Sequence, residues 1–330
     1  MAFVDIIGHA RVKSILGRAL RRGKLPNSLL FAGAAGVGKR ETALVVAKAL
    51  NCLNKTDDAC EECSACRAIR NSAAPDVQVI APQGTALKIE QMRLLKEAAY
   101  LKPMSAKRRV FIIERADKMT REAANSLLKV LEEPPLHAHI ILLTDNPFVL
   151  LSTIRSRCQM LSFASISRED IQASLLARGM DKEQARILAL LARGNLALAR
   201  TMDWESVQQR RREAWELFSR MAEGRPAADF LHEYSGRPRV QIRDELAPTL
   251  EILSSFARDL LLLHDEGEVR YLLNPDYERP LRTIAEKLDR ERAQRFLAGM
   301  DGCLQALDKN ANIKVMISSL TIQFLDGNYV

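Results

Sequence analysis

The run Gly33-Ala-Ala-Gly-Val-Gly-Lys39 spaces its glycines and lysine as a phosphate-binding loop does. Glycines let successive backbone amides turn inward on a phosphate, a helix starting after them adds partial positive charge, and a lysine at the end reaches the terminal phosphates. The nucleotide-binding candidates are therefore Gly33, Gly36, Gly38 and Lys39. The next position breaks the pattern. A Ser or Thr there would put its hydroxyl on magnesium, whereas Arg40 ligates no cation and repels one. Thr42 stands two residues on, roughly 200° further round a helix of 3.6 residues per turn, and is a poor substitute. A matching defect follows the apolar run Val110-Phe-Ile-Ile113. A hydrolase of this type would continue with Asp for the metal and Glu for the attacking water, but the chain continues Glu114-Arg115. Glu114 keeps a carboxylate on a longer arm, and Arg115 stays protonated and cannot act as a base. Both departures weaken binding of ATP and magnesium and argue against hydrolysis.

Cys52, Cys60, Cys63 and Cys66 form a second cluster, spaced C-x7-C-x2-C-x2-C. Four thiolates so close together suit tetrahedral zinc, and with every position taken by protein the metal would be structural. Disulfides are the competing use, which a cytosolic chain disfavours. Cys158 and Cys303 have no ligand spacing around them and read as packed core residues. Thr153-Ile-Arg-Ser-Arg-Cys158 is a third motif; taken alone, its Arg157 is an ordinary surface arginine.

These residues need elements to position them. Apolar residues recur at helical spacing from Gly8 to Arg22, and the short apolar run Ser28–Ala32, the glycine loop and Glu41–Leu50 read as strand, loop and helix. Further strand-length runs at Val77–Ile80, Val110–Ile113 and His139–Leu143 alternate with helical patterns at Ile89–Tyr100 and Glu122–Glu132. Alternating strands and helices imply a parallel sheet with helices on both faces. After about Phe163 strand-like runs nearly vanish; Arg168–Arg178, Lys182–Arg193, Ala247–His264 and Leu281–Gly299 carry apolar residues three or four apart, with breaks near Gly194, Gly224–Pro226 and Asn274–Pro275.

With 330 residues, 47% hydrophobic and 27% charged, the chain is globular and large enough for two or three domains. Its net charge of +8 is uneven: residues 1–165 hold 25 Lys plus Arg against 15 Asp plus Glu, and the remainder 24 against 26. A localised basic half marks a phosphate-rich partner, nucleotide or nucleic acid. Lys107-Arg-Arg109 and Arg210-Arg-Arg212 are candidate phosphate contacts. The start, Met1–Gly8, contains Asp5 and lacks a signal-peptide pattern, and no run approaches the roughly 18 apolar residues of a membrane span, so a cytoplasmic protein with no membrane partner is expected.

Taken together, the loop Gly33–Lys39, the cysteine cluster, Ala124-Asn-Ser-Leu-Leu-Lys-Val-Leu-Glu-Glu-Pro134 and Ser156-Arg-Cys158 resemble the clamp-loader branch of the AAA+ ATPases. The resemblance is dense to about residue 165 and thin beyond, where Asn310-Ala-Asn-Ile-Lys314 looks like the start of the family's last collar helix. It implies an α/β AAA+ P-loop domain at 1–165 with a zinc module inserted at about 52–66, a small helical lid at 166–206 and an all-α collar at 207–330 through which subunits associate. It further implies that Arg157 is an arginine finger given in trans to a neighbour's nucleotide, an effect worth about 10³ to 10⁵ in rate in related phosphoryl transfers. Motor subunits of the family carry a lid arginine in a Gly-x-Leu-Arg context, where Gly194-Asn-Leu-Ala197 has alanine; Arg200, one turn later, is a partial substitute. The implied partners are motor subunits of gamma/tau type and a delta-type subunit, met through the collar and AAA+ faces, with the sliding clamp and primed DNA as part of the complex. The whole would serve a DNA-directed DNA polymerase, this chain having no autonomous ATPase. Other readings are a motor subunit of the same loader, an independent DNA-remodelling ATPase, and a zinc-containing nucleic-acid-binding module.

Overall fold

In a computed structural model, residues 1–54, 57–223 and 239–308 are described, without the side chains of 239–245, 270 and 306–308. The predicted breaks at Gly224–Pro226 and the run Asn310–Lys314 lie outside the described residues. They divide into two compact units, 1–185 with 192–201, and 186–191 with the described residues from 202 on.

The first unit is built on five parallel strands, β1 (Ser28–Ala32), β2 (Val77–Ile80), β3 (Arg109–Ile113), β4 (Ala138–Thr144) and β5 (Gln159–Ser162), in the order β2-β3-β4-β1-β5. Every residue of β1, β3 and β4 is buried. Strands covered on both faces read as unbroken apolar runs, which is why the sequence reveals them. Leu30, Phe111, Ile113, Ile140 and Leu142 point to one face, where they pack with Met92 and Leu95 of α4 (Ile89–Tyr100) and Leu127 and Val130 of α5 (Arg121–Glu132). Each such side chain contributes about 1.5–3 kcal/mol by leaving water. The remaining helices of this unit are α1 (Ala10–Arg21), α2 (Lys39–Asn51), α3 (Ser64–Arg70), the single turn α6 (Ser152–Arg155), α7 (Arg168–Leu176) and α9 (Leu196–Thr201). α8 (Lys182–Leu191) follows α7 in the chain.

β5 is absent from the sequence expectation: it is an edge strand whose only buried residue is Leu161, and its Gln-Met-Leu-Ser run lacks the β-branched residues that reveal β2 at the other edge. In the second unit, α10 (Trp204–Ala222), α11 (Arg239–His264), α12 (Glu278–Ala285) and α13 (Arg290–Asp308) surround Phe218, Phe256 and Phe296. The helix expected at Leu281–Gly299 is two helices. The chain turns after Ala285, and Asp289 Oδ1 accepts the Arg292 N–H at 2.7 Å to start the next.

In both basic triplets one arginine is buried and its partners are internal, while Lys107, Arg108 and Arg212 are exposed with contacts of their own. Lys107 Nζ donates to the Cys52 carbonyl at 2.6 Å and Arg108 to the Leu136 carbonyl at 2.9 Å. Arg109 is buried, paired with Asp76 at 3.2 Å and donating to the Ala98 carbonyl. Arg211 is buried as well, bound to both oxygens of Asp276 and to Asn274, and Arg212 donates to Gln209.

Asp76 anchors the segment that leads into β3. Its carboxylate accepts the backbone N–H groups of Met104, Ser105 and Ala106 at 2.8–3.0 Å besides pairing with Arg109. Burial alone would raise its pKa, but the three amides and the guanidinium outweigh it and hold the carboxyl below the usual Asp range. The stability this contributes is complete above the unfolded-chain value near 4 and is lost as pH falls through the lower folded value. Asp76→Ala, which strands Arg109, is expected to cost about 3 kcal/mol in denaturant unfolding at neutral pH; a cost under about 1 kcal/mol, the range of a surface pair, would contradict this account.

Candidate nucleotide and subunit-interface site

The glycine loop joins β1 to α2, as strand-loop-helix context requires. Gly36 has φ +70° and its carbonyl accepts the Ala197 N–H at 3.2 Å. A Cβ built on Gly36 would lie 1.7 Å from Asn195 Oδ1, so only glycine admits this contact. Asn195 in turn caps α9 by accepting the Leu198 N–H at 2.8 Å. On the other side, His9 Nε2 donates to the Val37 carbonyl at 2.7 Å. The loop is thus held from the chain's early segment and from the start of α9.

Its charged residues are satisfied internally. Lys39, with a side chain 8% exposed, donates to the Gly33 and Ala34 carbonyls at 2.5 and 2.6 Å and to Asp145 Oδ1 at 2.8 Å. Arg40 is paired through Nε with Glu114, so the two residues that depart from the metal-binding pattern neutralise one another. Thr42 is fully buried and its hydroxyl donates to the Gly38 carbonyl at 2.8 Å, which removes it as a metal ligand. Arg200 NH2 donates to Ser174 Oγ on α7 at 3.1 Å, so its recorded bond is to another helix of the same unit and not to the loop.

The four cysteines converge. The Sγ atoms of Cys52, Cys60, Cys63 and Cys66 all lie within 4.8 Å of one another. A tetrahedral zinc with Zn–S near 2.3 Å needs sulfurs about 3.8 Å apart. The Cys63 N–H donates to Cys60 Sγ at 3.3 Å and the Cys66 N–H to Cys63 Sγ at 3.4 Å. For Cys63 burial pushes the thiol up, but the backbone donors of Leu53 and Cys66 and the side chains of Cys66 and Cys60 together outweigh it and bring the pKa down to about 6. Cys66 goes the other way, pushed up to about 12, first by burial. The donor set could hold a zinc ion: a low-pKa thiolate is already favoured, and a dication would draw the remaining protons off. Cys158 and Cys303 are buried elsewhere, their thiols pushed up to about 12 by burial alone.

Arg157 follows α6 and precedes β5. The register pairs Leu29 with Gln159 and Ala32 with Ser162, so Arg157 sits at the amino ends of the strands while the loop sits at their carboxyl ends. The paired stretch alone puts about 10 Å between the two levels. Arg157 turns toward the carboxyl end of α5, where its NH2 meets Glu132 Oε1 at 2.5 Å, while NH1 donates to the Thr153 carbonyl at 2.9 Å.

Residues 8–167 match the family model described as "DNA polymerase III, delta subunit". The chain is 28% identical to DNA polymerase III subunit delta' of Bacillus subtilis over 96% of both chains. The chain is thus similar to subunits of DNA polymerase III, to the delta' relative along nearly its whole length. It is also 33% identical to B. subtilis DNA polymerase III subunit tau, over 56% of this chain and 33% of tau, so that it spans only about a third of that relative. Among solved structures, a DNA polymerase III gamma subunit-related protein of Thermotoga maritima has 17% identity and a TM-score of 0.47, over 95% of this chain and 98% of that one.

The sequence points to the loop, the cysteines and Arg157, but not to Asp145, Asn195 and Glu132, whose partners are far along the chain. Asp145 follows β4 directly, and a polar residue at the carboxyl end of a central strand is the signal that would have found it. Asp145→Ala, which removes the carboxylate competing for Lys39, is expected to tighten ATP binding roughly fivefold, about 1 kcal/mol, in calorimetric titration. Unchanged affinity would mean that the contact does not restrain Lys39.

Proposed function

We propose that this chain is a delta-prime-type subunit of the clamp loader, a stator that does not hydrolyse ATP and that supplies Arg157 in trans to the nucleotide of a neighbouring motor subunit. The observation that carries this reading is the opposed location of Lys39 and Arg157 on one parallel sheet. Arg157 cannot serve its own loop, and a guanidinium fork suits developing phosphate charge on another protomer. The Arg40–Glu114 pair supports the second half of the reading, since a fixed cation stands where a magnesium-binding hydroxyl is needed. Likeness to the delta' relative over 96% of both chains, against partial spans of the gamma and tau relatives, supports the delta-prime type.

In this reading the chain divides into an AAA+ module at 1–165, a lid at 166–206 and a collar at 207–330. Partners are motor and delta-type subunits, with the clamp and primed DNA as part of the complex, and the location is cytoplasmic. Among the described residues no helix is long and apolar enough to cross a membrane. A motor subunit of gamma/tau type is the second reading, favoured by 36% identity to a Mycoplasma pneumoniae gamma/tau subunit over 59% of this chain and by the retained Lys39.

Zinc belongs to the proposal as a structural ion on Cys52, Cys60, Cys63 and Cys66. It would supply no chemistry to the loop. The residues around it hold neighbouring segments: Phe3 N–H donates to Asp58 Oδ1 at 2.9 Å, and Ala2 packs with Cys52, Cys63 and Cys66. One zinc per chain is expected by metal analysis, and because thiolates must be deprotonated to bind, the metal leaves as pH falls below the range in which they ionise. Cys63→Ser should abolish stoichiometric zinc and lower the melting temperature; zinc-free protein with unchanged melting would exclude the structural role.

Arg157→Ala tests the central assignment. Folding and assembly are expected to be unaffected, while DNA-stimulated ATP turnover of the reconstituted loader falls. Unchanged turnover in the assembled complex would remove the role.

A further inference from the structure

Arg157 does not project freely. Its side chain is one-third exposed, with Glu132 on NH2, the Thr153 carbonyl on NH1 and Ser156 Oγ 3.5 Å from NH1. Glu132 is the last residue of α5, and Glu133 follows it in the cap position. The carboxyl end of a helix carries partial negative charge and favours cations, so two acidic residues there oppose the helix dipole. The helix does not need them to stop, since Pro134 and Pro135 follow. The guanidinium of Arg157 is what compensates the first of them.

An arginine acting across a boundary gains from being held. Its side chain has several rotatable bonds and loses considerable rotamer freedom when it engages a phosphate. A carboxylate on one terminal nitrogen and a carbonyl on the other remove that freedom beforehand. A guanidinium has five N–H donors, so those contacts leave the remaining donors for phosphate oxygens. We propose that Glu132 is a positioning residue for Arg157: it fixes the guanidinium at the amino end of the sheet in the orientation in which it meets a neighbour's triphosphate. The proposal rests on the reading of Arg157 as a finger given in trans. It assigns a task to the Glu-Glu-Pro end of the α5 motif, which the function proposed above leaves unused. Glu132 acts only through Arg157, the residue its carboxylate meets.

The test is a double-mutant cycle in the reconstituted loader, with DNA-stimulated ATP turnover measured for complexes carrying the unaltered chain, Glu132→Ala, Arg157→Ala and both, together with Glu132→Gln. Glu132→Ala is expected to lower kcat roughly three- to tenfold, the loss of a pre-oriented group, with the KM for ATP unchanged. Glu132→Gln, which keeps an oxygen acceptor, should recover part of the loss. In the Arg157→Ala background Glu132→Ala should have no further effect, and thermal unfolding of each isolated chain checks that the variants are folded. If Arg157→Ala lowers turnover and Glu132→Ala does not, the inference fails while the trans finger stands. An equal loss from Glu132→Ala with and without Arg157 would make Glu132 a support of the fold and overturn the proposal. Full turnover in Arg157→Ala would remove the trans finger, and the positioning role with it.

Discussion

Parallel pairing of β1 with both β4 and β5 is the constraint from which the rest follows. It gathers the glycine loop, Glu114 and Asp145 at the carboxyl ends of three strands. It also puts the residue before β5 at the other end, where α5, running back against the strands, delivers Glu132. A ligand at the carboxyl ends of an open parallel sheet is a general property of such folds. A charged group at the amino ends has no such role within its own subunit. The two ends therefore carry separate chemistry, and the proposed function assigns Arg157 at the amino end to a neighbouring subunit.

Two of the cations at the carboxyl ends are paired within the chain. Lys39 is matched by Asp145 and two carbonyls, and Arg40 by Glu114. In a hydrolase the phosphates and their metal would supply these counter-charges. Here the carboxylate at the end of β3 faces a guanidinium fixed to α2, a cation that brings no water and cannot exchange its ligands. Asn195 against Gly36 adds a steric element, since the contact leaves no room for a Cβ between loop and α9. Arg157 has a different character: held on two sides, one-third exposed, and at the opposite end of the strands from the glycine loop.

What the sequence disclosed follows from the same physics. β1, β2 and α4 coincide with their expected spans, and β3 and β4 differ by one residue at their ends: the central strands and the amphipathic helix write their burial into local pattern, and β2, an edge strand with no fully buried residue, shows through its β-branched Val-Gln-Val-Ile run. β5 does not show, since its Gln-Met-Leu-Ser run lacks the β-branched residues that mark the other edge strand, β2. The break between α12 and α13 was hidden because Ile284 and Leu288 keep helical spacing across it. Cysteine and glycine spacing exposed both clusters, whereas their supports did not show: Lys39 and Asp145 are 106 residues apart, and no local rule connects them. The burial of Arg109 and Arg211 within the basic triplets did not show for a related reason. Composition cannot distinguish an arginine buried against Asp76 or Asp276 from one facing solvent.

Magnesium-dependent ATP turnover by the purified chain, without other loader subunits, is the most direct measure of whether its own pocket is inert. The account predicts release of inorganic phosphate no faster than in a chain carrying Lys39→Ala. Sustained turnover that requires magnesium and disappears with Lys39→Ala would contradict it.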